Sequence, residues 1–375
     1  MTRPRVLFVG GTAYDLPLSG GLAKKWDALA DRMEVRVVAR QGTVASPDPR
    51  FHLVSSPRRL PGWSSRPSLA RVVLAETRSF RPDVLIAQGP HDIVSLFPIL
   101  PMMRPRPRLI AEVHGDWRTA SRAYGSRARR LLNPLADRAA IAALRRADGT
   151  RALSPFTASL AEEVTGEPPL ACFPTYSDLD AFTEPPLAPL PERPTAAWIG
   201  MLQRVKDPAS MAAAWRLVAE RLPEARLVVV GDGPLRGIMD DLSRDLPESV
   251  RTHRRVATPE LVEVLDKSTL LALPSVSEGL GRVAIEAFAR GRPVVGSAVG
   301  GIRDIVQSER SGVLVPPGEP ELLADALVRV LGDPELAQRM SRAAAEDGAA
   351  FRWPPDRYAD AVRDLVARAL SLPAT

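Results

Sequence analysis

Short apolar runs of strand length alternate with longer spans of helical periodicity, and the alternation occurs twice along the chain. Val6–Val9, Val35–Ala39, Val84–Ala87 and Leu109–Val113 are such runs in the first half, with helical spacing over Leu22–Arg32. Unbroken apolar strands need cover on both faces, which argues for a parallel sheet wrapped by helices. Between Thr183 and Pro194 there are five prolines in twelve residues. Such a stretch can be neither helix nor central strand, and we read it as an interdomain linker. The pattern then restarts with Ala196–Ile199, Leu227–Val230 and Leu270–Leu273, separated by helical spans such as Ser210–Arg221 and Glu260–Asp266. A chain of 375 residues suits two domains rather than one. The expected division is an N-terminal domain over 1–182, the linker over 183–194, a second domain over 195–350, and a final helical segment over 351–375.

The most informative stretch is PSVSEGLGRVAIEAFARGRPVVGSAVGG, Pro274 to Gly301. It reads as a Gly-rich loop after a strand, then a helix, a second strand over Pro293–Gly296, and another Gly-rich turn. Glu278 sits in the loop and Glu286 inside the helix. Gly279 and Gly281 flank Leu280 where the helix begins, so bare backbone N–H groups face whatever lies at that end. A helix N-terminus with unpaired donors and a favourable dipole is an anion site. Loop carboxylate, phosphate cradle and helix carboxylate together suit a sugar, a diphosphate and a ribose laid end to end. The plainer reading is that Arg282 and Glu286 form an ordinary i, i+4 ion pair. The flanking strands and glycines favour the ligand site.

This segment resembles the E-x7-E signature of retaining GT-B glycosyltransferases, closest to glycosyltransferase family 4. The resemblance implies an α/β fold of two doubly wound Rossmann-like domains facing each other across a cleft, closing about the linker, with the C-terminal helix crossing back to the N-terminal domain. It assigns donor-sugar hydroxyls to Glu278 and the nucleotide ribose to Glu286, with Gly279, Leu280 and Gly281 lining sugar and phosphates. Trp198–Pro208 resembles the family's G-R-L-x-x-x-K-G element. Lys206 takes the place of its Lys, Met201 stands where its Arg is usual, and Arg204 is near enough to substitute. Val228–Pro234 resembles the strand–GxGP turn, which adds Gly231 and Gly233 to the donor site. Phe173–Phe182 resembles the junction element P-N-G-V-D-x-x-x-F at Pro174, Asp178 and Phe182. His253–Val256 stands beside the expected base site, with Arg254 near a usual glycine, and Gly300-Gly301 matches the closing turn. In the first half, Gly20 and Gly21 resemble the loop over the donor phosphate, and His114 the histidine near the reacting sugar. His91 and Asp92 are candidates for the acceptor side.

The implied activity is transfer of a hexose-type sugar from a UDP- or GDP-sugar to an acceptor hydroxyl with retention, in glycan, glycolipid or exopolysaccharide synthesis. The donor phosphate itself would take the acceptor proton. Catalytic roles fall to His114, Lys206 and Glu278. No cofactor or metal is implied, since the sequence shows no ligand cluster. Three rivals remain: a nucleotide-sugar epimerase of the same shape, a dinucleotide-binding oxidoreductase using the turns after Val9 and Val230, and a non-catalytic sugar or membrane-surface binder. Neither turn forms G-x-G-x-x-G with an acidic residue about twenty positions on.

Composition bounds the setting. The chain is 45% hydrophobic and 25% charged, as globular proteins are. One cysteine, Cys172, excludes an internal disulfide and fits a reducing cytoplasm. The first 30 residues lack a signal-peptide core, and no apolar run is long enough to span a bilayer. The net charge of +6 is concentrated in residues 101–151, with 12 Arg against 4 acidic residues. Within it Ser126–Arg146 mixes arginines with Leu and Ile at helical spacing. It is read either as a core-packed helix with a solvated basic face or as a peripheral contact with anionic lipid at the inner membrane face, with a lipid-linked acceptor. No RNA-binding motif, Zn spacing or aromatic interleaving accompanies the charge, so nucleic acid is not an expected partner.

Overall fold

The computed structural model describes residues 3–55, 66–119 and 127–373, with backbone alone for 66–67 and 127–132. The chain forms two compact units, one of 1–177 with 353–375 and one of 178–352.

The first unit is built on seven parallel strands: β1 (Arg5–Leu16), β2 (Glu34–Val44), β3 (Phe51–Val54), β4 (Val84–Ala87), β5 (Arg108–Val113), β6 (Gly149–Ala152) and β7 (Ala171–Cys172). Their order is β3-β2-β1-β4-β5-β6-β7. Successive β1 residues feed opposite cores: Val6 and Phe8 join Trp26 and Phe51, whereas Leu7 and Val9 join Val73 and Leu85. This is the two-faced burial that continuous apolar strands demand. The first strand is longer than the expected Val6–Val9. It continues through Gly10-Gly11 to Leu16, because Ala13 and Leu16 pair with Arg40 and Val44 of β2 after a register shift. The two glycines are therefore an irregularity within a strand rather than a turn, which removes one of the two supports for a dinucleotide site. The helix Pro355–Ser371 closes this unit, with Tyr358, Val362, Leu365 and Val366 at most 2% exposed in the core around Trp26. Each such side chain contributes about 1.5–3 kcal/mol by burial.

The helix Arg127–Arg146 buries Asn133, Asp137, Ala140 and Leu144, a four-then-three spacing along one face. Arg138, Arg145 and Arg146 stay exposed, so its described part is a core-packed helix with a solvated basic face. Ser126 and the side chains of 127–132 lie outside the described residues. Among the described residues no helix is long and apolar enough to cross a membrane.

The second unit holds six parallel strands: β8 (Thr195–Ile199), β9 (Arg226–Val230), β10 (Val250–His253), β11 (Leu270–Leu273), β12 (Val294–Ser297) and β13 (Gly312–Val315). The order is β10-β9-β8-β11-β12-β13, so the winding reverses between β8 and β11. Ala196 and Trp198 face a core with Trp215 and Leu227, while Ala197 and Ile199 face one with Ile285 and Phe288.

Thr183–Pro194, expected as the interdomain linker, lies inside this unit and is tied down. Arg290 and Arg292 are each 1% exposed. Arg290 donates to the carbonyls of Phe182, Pro185 and Pro186, and Arg292 to those of Ala188 and Pro189. Asp266 accepts from Arg290 at 2.8 Å, partly neutralising the pair. Prolines deprive a segment of N–H donors but leave its carbonyls, and two buried guanidinia satisfy those acceptors.

Candidate functional site

In open α/β sheets, ligands bind outside the carboxyl ends of the strands where the winding reverses. At that end of the second unit, four loops meet, following β8, β9, β11 and β12. They are sewn together by backbone bonds. Leu202 N donates to Asp232 O at 2.9 Å, Val276 N to Val205 O at 2.9 Å, and Gly301 N to Glu278 O at 3.0 Å. Such close approach needs glycine. A Cβ on Gly231 would lie 1.9 Å from Gly200 O, and one on Gly300, whose φ is +48°, would lie 1.9 Å from Glu278 O.

On this scaffold Lys206 Nζ and Glu278 Oε2 form an ion pair of 2.5 Å, both side chains less than 20% exposed. Lys206 ends a 3-10 turn over Arg204–Lys206, and Glu278 sits in the loop after β11. Ser275, fully buried, donates from its hydroxyl to the same Glu278 oxygen at 3.4 Å. Beyond Glu278 the loop turns into the helix Arg282–Ala289 through Gly281, whose φ of +76° places it in the left-handed region. No side chain caps this helix end. Its leading N–H groups and dipole therefore remain an anion-binding feature beside Lys206 and Glu278.

Glu286 lies one turn into that helix and is 9% exposed. Burial raises its carboxyl above the ordinary value, and Arg282 opposes the rise. Arg282 Nε donates to Glu286 Oε1 at 3.2 Å, so the i, i+4 pair exists. One partner is solvent-exposed and the other is not, which is unlike a surface pair of two solvated groups. The structure thus brings Lys206, Gly231, Gly233, Glu278, Gly279, Leu280, Gly281 and Glu286 to one end of one sheet. Arg204 is in the same loop with an exposed side chain, and Met201 is 57% exposed. Arg254 pairs with Asp232 at 2.8 Å beside the Gly231–Gly233 turn, and Arg236 Nη1 donates to Gly231 O at 2.6 Å.

Gly20, Gly21 and His114 belong to the first unit. Gly20 has φ +51° and opens the helix Gly20–Arg32 with Gly21 behind it. His91 and Asp92 lie in the first turn of the helix Pro90–Leu96, after β4. His114 directly follows β5, and its Nε2 is 2.9 Å from Glu112 Oε2. Glu112 is buried inside β5 and is also paired with Arg151 of β6. Arg151 is 1% exposed, donates to the carbonyls of Phe173 and Pro174, and stacks 4.0 Å over the Phe173 ring. Burial alone would raise the Glu112 carboxyl; Arg151 and then His114 outweigh it and hold it well below the usual carboxylate range.

Residues 193–333 match the family described as Glycosyl transferases group 1, and residues 26–180 match Glycosyltransferase Family 4. The chain belongs to glycosyltransferase family 4. Among its relatives is a D-inositol 3-phosphate glycosyltransferase of Streptomyces griseus, 37% identical over 46% of this chain and 38% of that one. The protein of the same name from Saccharomonospora viridis is 35% identical over 47% and 43%. The chain thus spans about two fifths of the length of these relatives. Two solved structures share the fold along nearly the whole chain. Sucrose-phosphate synthase of Thermosynechococcus elongatus gives a TM-score of 0.76 at 20% identity, over 95% of this chain and 97% of that one. HepE of Anabaena, solved with UDP-glucose, gives 0.70 at 17% identity, over 98% and 99%. This family-4 chain therefore has the GT-B type of fold.

Three neighbours of the candidate residues escape the sequence reading. Ser275 carries no motif signal. Glu112 does carry one, since a carboxylate interrupts the apolar run Leu109–Val113 and sits on the same strand face as His114, two residues on. Arg151, a charge in the short strand β6, is its counterpart.

Proposed function

We propose that the protein transfers a hexose-type sugar from a nucleoside diphosphate to an acceptor hydroxyl with retention at the anomeric carbon. The observation that carries the reading is the placement of Glu278, Lys206 and Glu286 around an uncapped helix end at the switch point of one sheet. Glu278 would accept hydroxyls of the donor sugar, and Glu286 those of the ribose. Lys206, the amides at Gly279–Gly281 and the helix dipole would hold the diphosphate. As the bond from the anomeric carbon to the phosphate oxygen breaks, charge grows on that oxygen, and fixed cations there lower the barrier. The acceptor oxygen bonds to the same face of the carbon, and its proton passes to the departing phosphate. His114, held by Glu112, is assigned to the reacting sugar, and Gly20 and Gly21 to the phosphate. Positive charge comes from side chain and backbone in this scheme, so it needs no metal.

The binding of UDP-glucose by HepE supports a uridine donor, and the names of the curated relatives support a hydroxylated acceptor. The test is donor consumption by the purified chain with UDP-glucose and GDP-mannose, wild type against Glu286→Ala. Turnover lost in a folded variant supports the assignment, and wild-type turnover by Glu286→Ala sinks it.

A further inference from the structure

The first unit carries a groove of about 1020 Å³ that the donor reading leaves unused. It lies at the N-terminal ends of β5 and β6, beneath Arg106 and Gly149, whereas His114 follows the C-terminal end of β5. The six residues of β5 separate the two ends, a span of about 20 Å.

Arg104, Arg106, Arg145 and Arg146 line the groove and are all exposed. Asp148 also lines it, but this carboxylate is already satisfied. It accepts Leu109 N at 2.7 Å and lies 3.4 Å from Arg108 and 3.6 Å from Arg106. Arg104, Arg145 and Arg146 have no carboxylate in ion-pair range among the described residues, and Glu167 at the rim is exposed. Arg145 is anchored by Nε to Val164 O at 3.0 Å, and Arg146 lies 4.9 Å over the Phe97 ring. Three uncompensated guanidinia, two of them anchored, thus line the groove together with Phe97, Leu100 and Met103.

Either half alone would suit a different ligand. A free phosphate would satisfy the guanidinia and leave the apolar side chains wet, and a neutral hydrocarbon would do the reverse. A molecule with a phosphate next to a hydrocarbon chain satisfies both, because Arg binds phosphate oxygens in a fork while the apolar side chains take the adjoining methylenes. We propose that this groove binds an anionic phospholipid, its phosphate on Arg104, Arg145 and Arg146 and its upper chain carbons against Phe97 and Leu100. The site would hold the first unit at an anionic bilayer by the end of the sheet remote from His114.

The test uses the whole chain without any sugar donor, so its failure leaves the donor reading intact. Dihexanoyl phosphatidylglycerol should bind saturably in calorimetry. Dihexanoyl phosphatidylcholine and inorganic phosphate should each bind about tenfold more weakly or worse, and Arg104→Glu/Arg145→Glu should weaken the phosphatidylglycerol by at least about tenfold. Vesicles containing phosphatidylglycerol should retain the wild type and the control Arg339→Glu/Arg342→Glu, which makes the same charge change on the second unit, but release the groove variant. Phosphate binding as tight as phosphatidylglycerol, or equal loss in the control, overturns the proposal; so does release of folded wild-type protein from the anionic vesicles.

Discussion

Lys206 and Glu278, 72 residues apart in sequence, meet at 2.5 Å across the reversal between β8 and β11. The pair fixes both groups at the head of the helix Arg282–Ala289, and a donor diphosphate would offer Lys206 a second anion. Replacing Lys206 with Ala should therefore cost turnover more than folding. Loss of one fixed charge at a developing anion lowers kcat by about 10²–10³. Steady-state kinetics alongside circular dichroism checks this, and an unchanged kcat would remove Lys206 from the mechanism.

Glu286 offers a separation of stability from function. Its folded carboxyl is raised by burial, so its favourable contribution is present below the ordinary Glu value and lost as pH rises through the folded value. At neutral pH the buried carboxylate is a net cost. Glu286→Gln should leave Tm at pH 7 unchanged or higher while weakening nucleotide binding, and the Tm difference should vanish toward pH 4. A lower Tm at pH 7 would mean that the Arg282 pair outweighs desolvation.

Much of the second unit was legible because its signals are local. Glu278, Gly281 and Glu286 fall in one loop–helix run, and the glycines report close contacts directly. The linker was harder. Five prolines announce an irregular segment, but the partners that bind it, Arg290 and Arg292, lie about a hundred residues on, and nothing in their local pattern marks them as its partners. Gly10-Gly11 misled for a similar reason, since its continuation as strand depends on pairing with Arg40–Val44 rather than on its own propensity.

Gly300 should not tolerate even a methyl group. Its positive φ and the 1.9 Å approach to Glu278 O mean that Gly300→Ala must push the Glu278 loop aside. The expected result is a loss of about 1 kcal/mol or more in stability together with weaker donor binding. Denaturant titration paired with calorimetry reads both, and wild-type values on both would contradict the geometry.

In the first unit, Glu112→Ala should leave Arg151 buried and unpaired. Breaking such a pair costs about 3–5 kcal/mol at pH 7. The folded Glu112 carboxyl is depressed, so its contribution is present above the ordinary value of 4.5 and fades only as pH falls toward the folded value. Urea unfolding across pH should show the gap between wild type and variant holding from pH 7 down to about 5 and narrowing below. A gap that narrows well above pH 5 would contradict the assignment to the Glu112 carboxyl.

The most direct measurement is calorimetric titration of the wild type and Glu286→Ala with UDP, GDP and NAD in the presence of EDTA. The account predicts saturable, metal-independent binding of UDP or GDP that the substitution removes, with no binding of NAD. Binding of NAD alone, or nucleotide binding indifferent to Glu286, would contradict it.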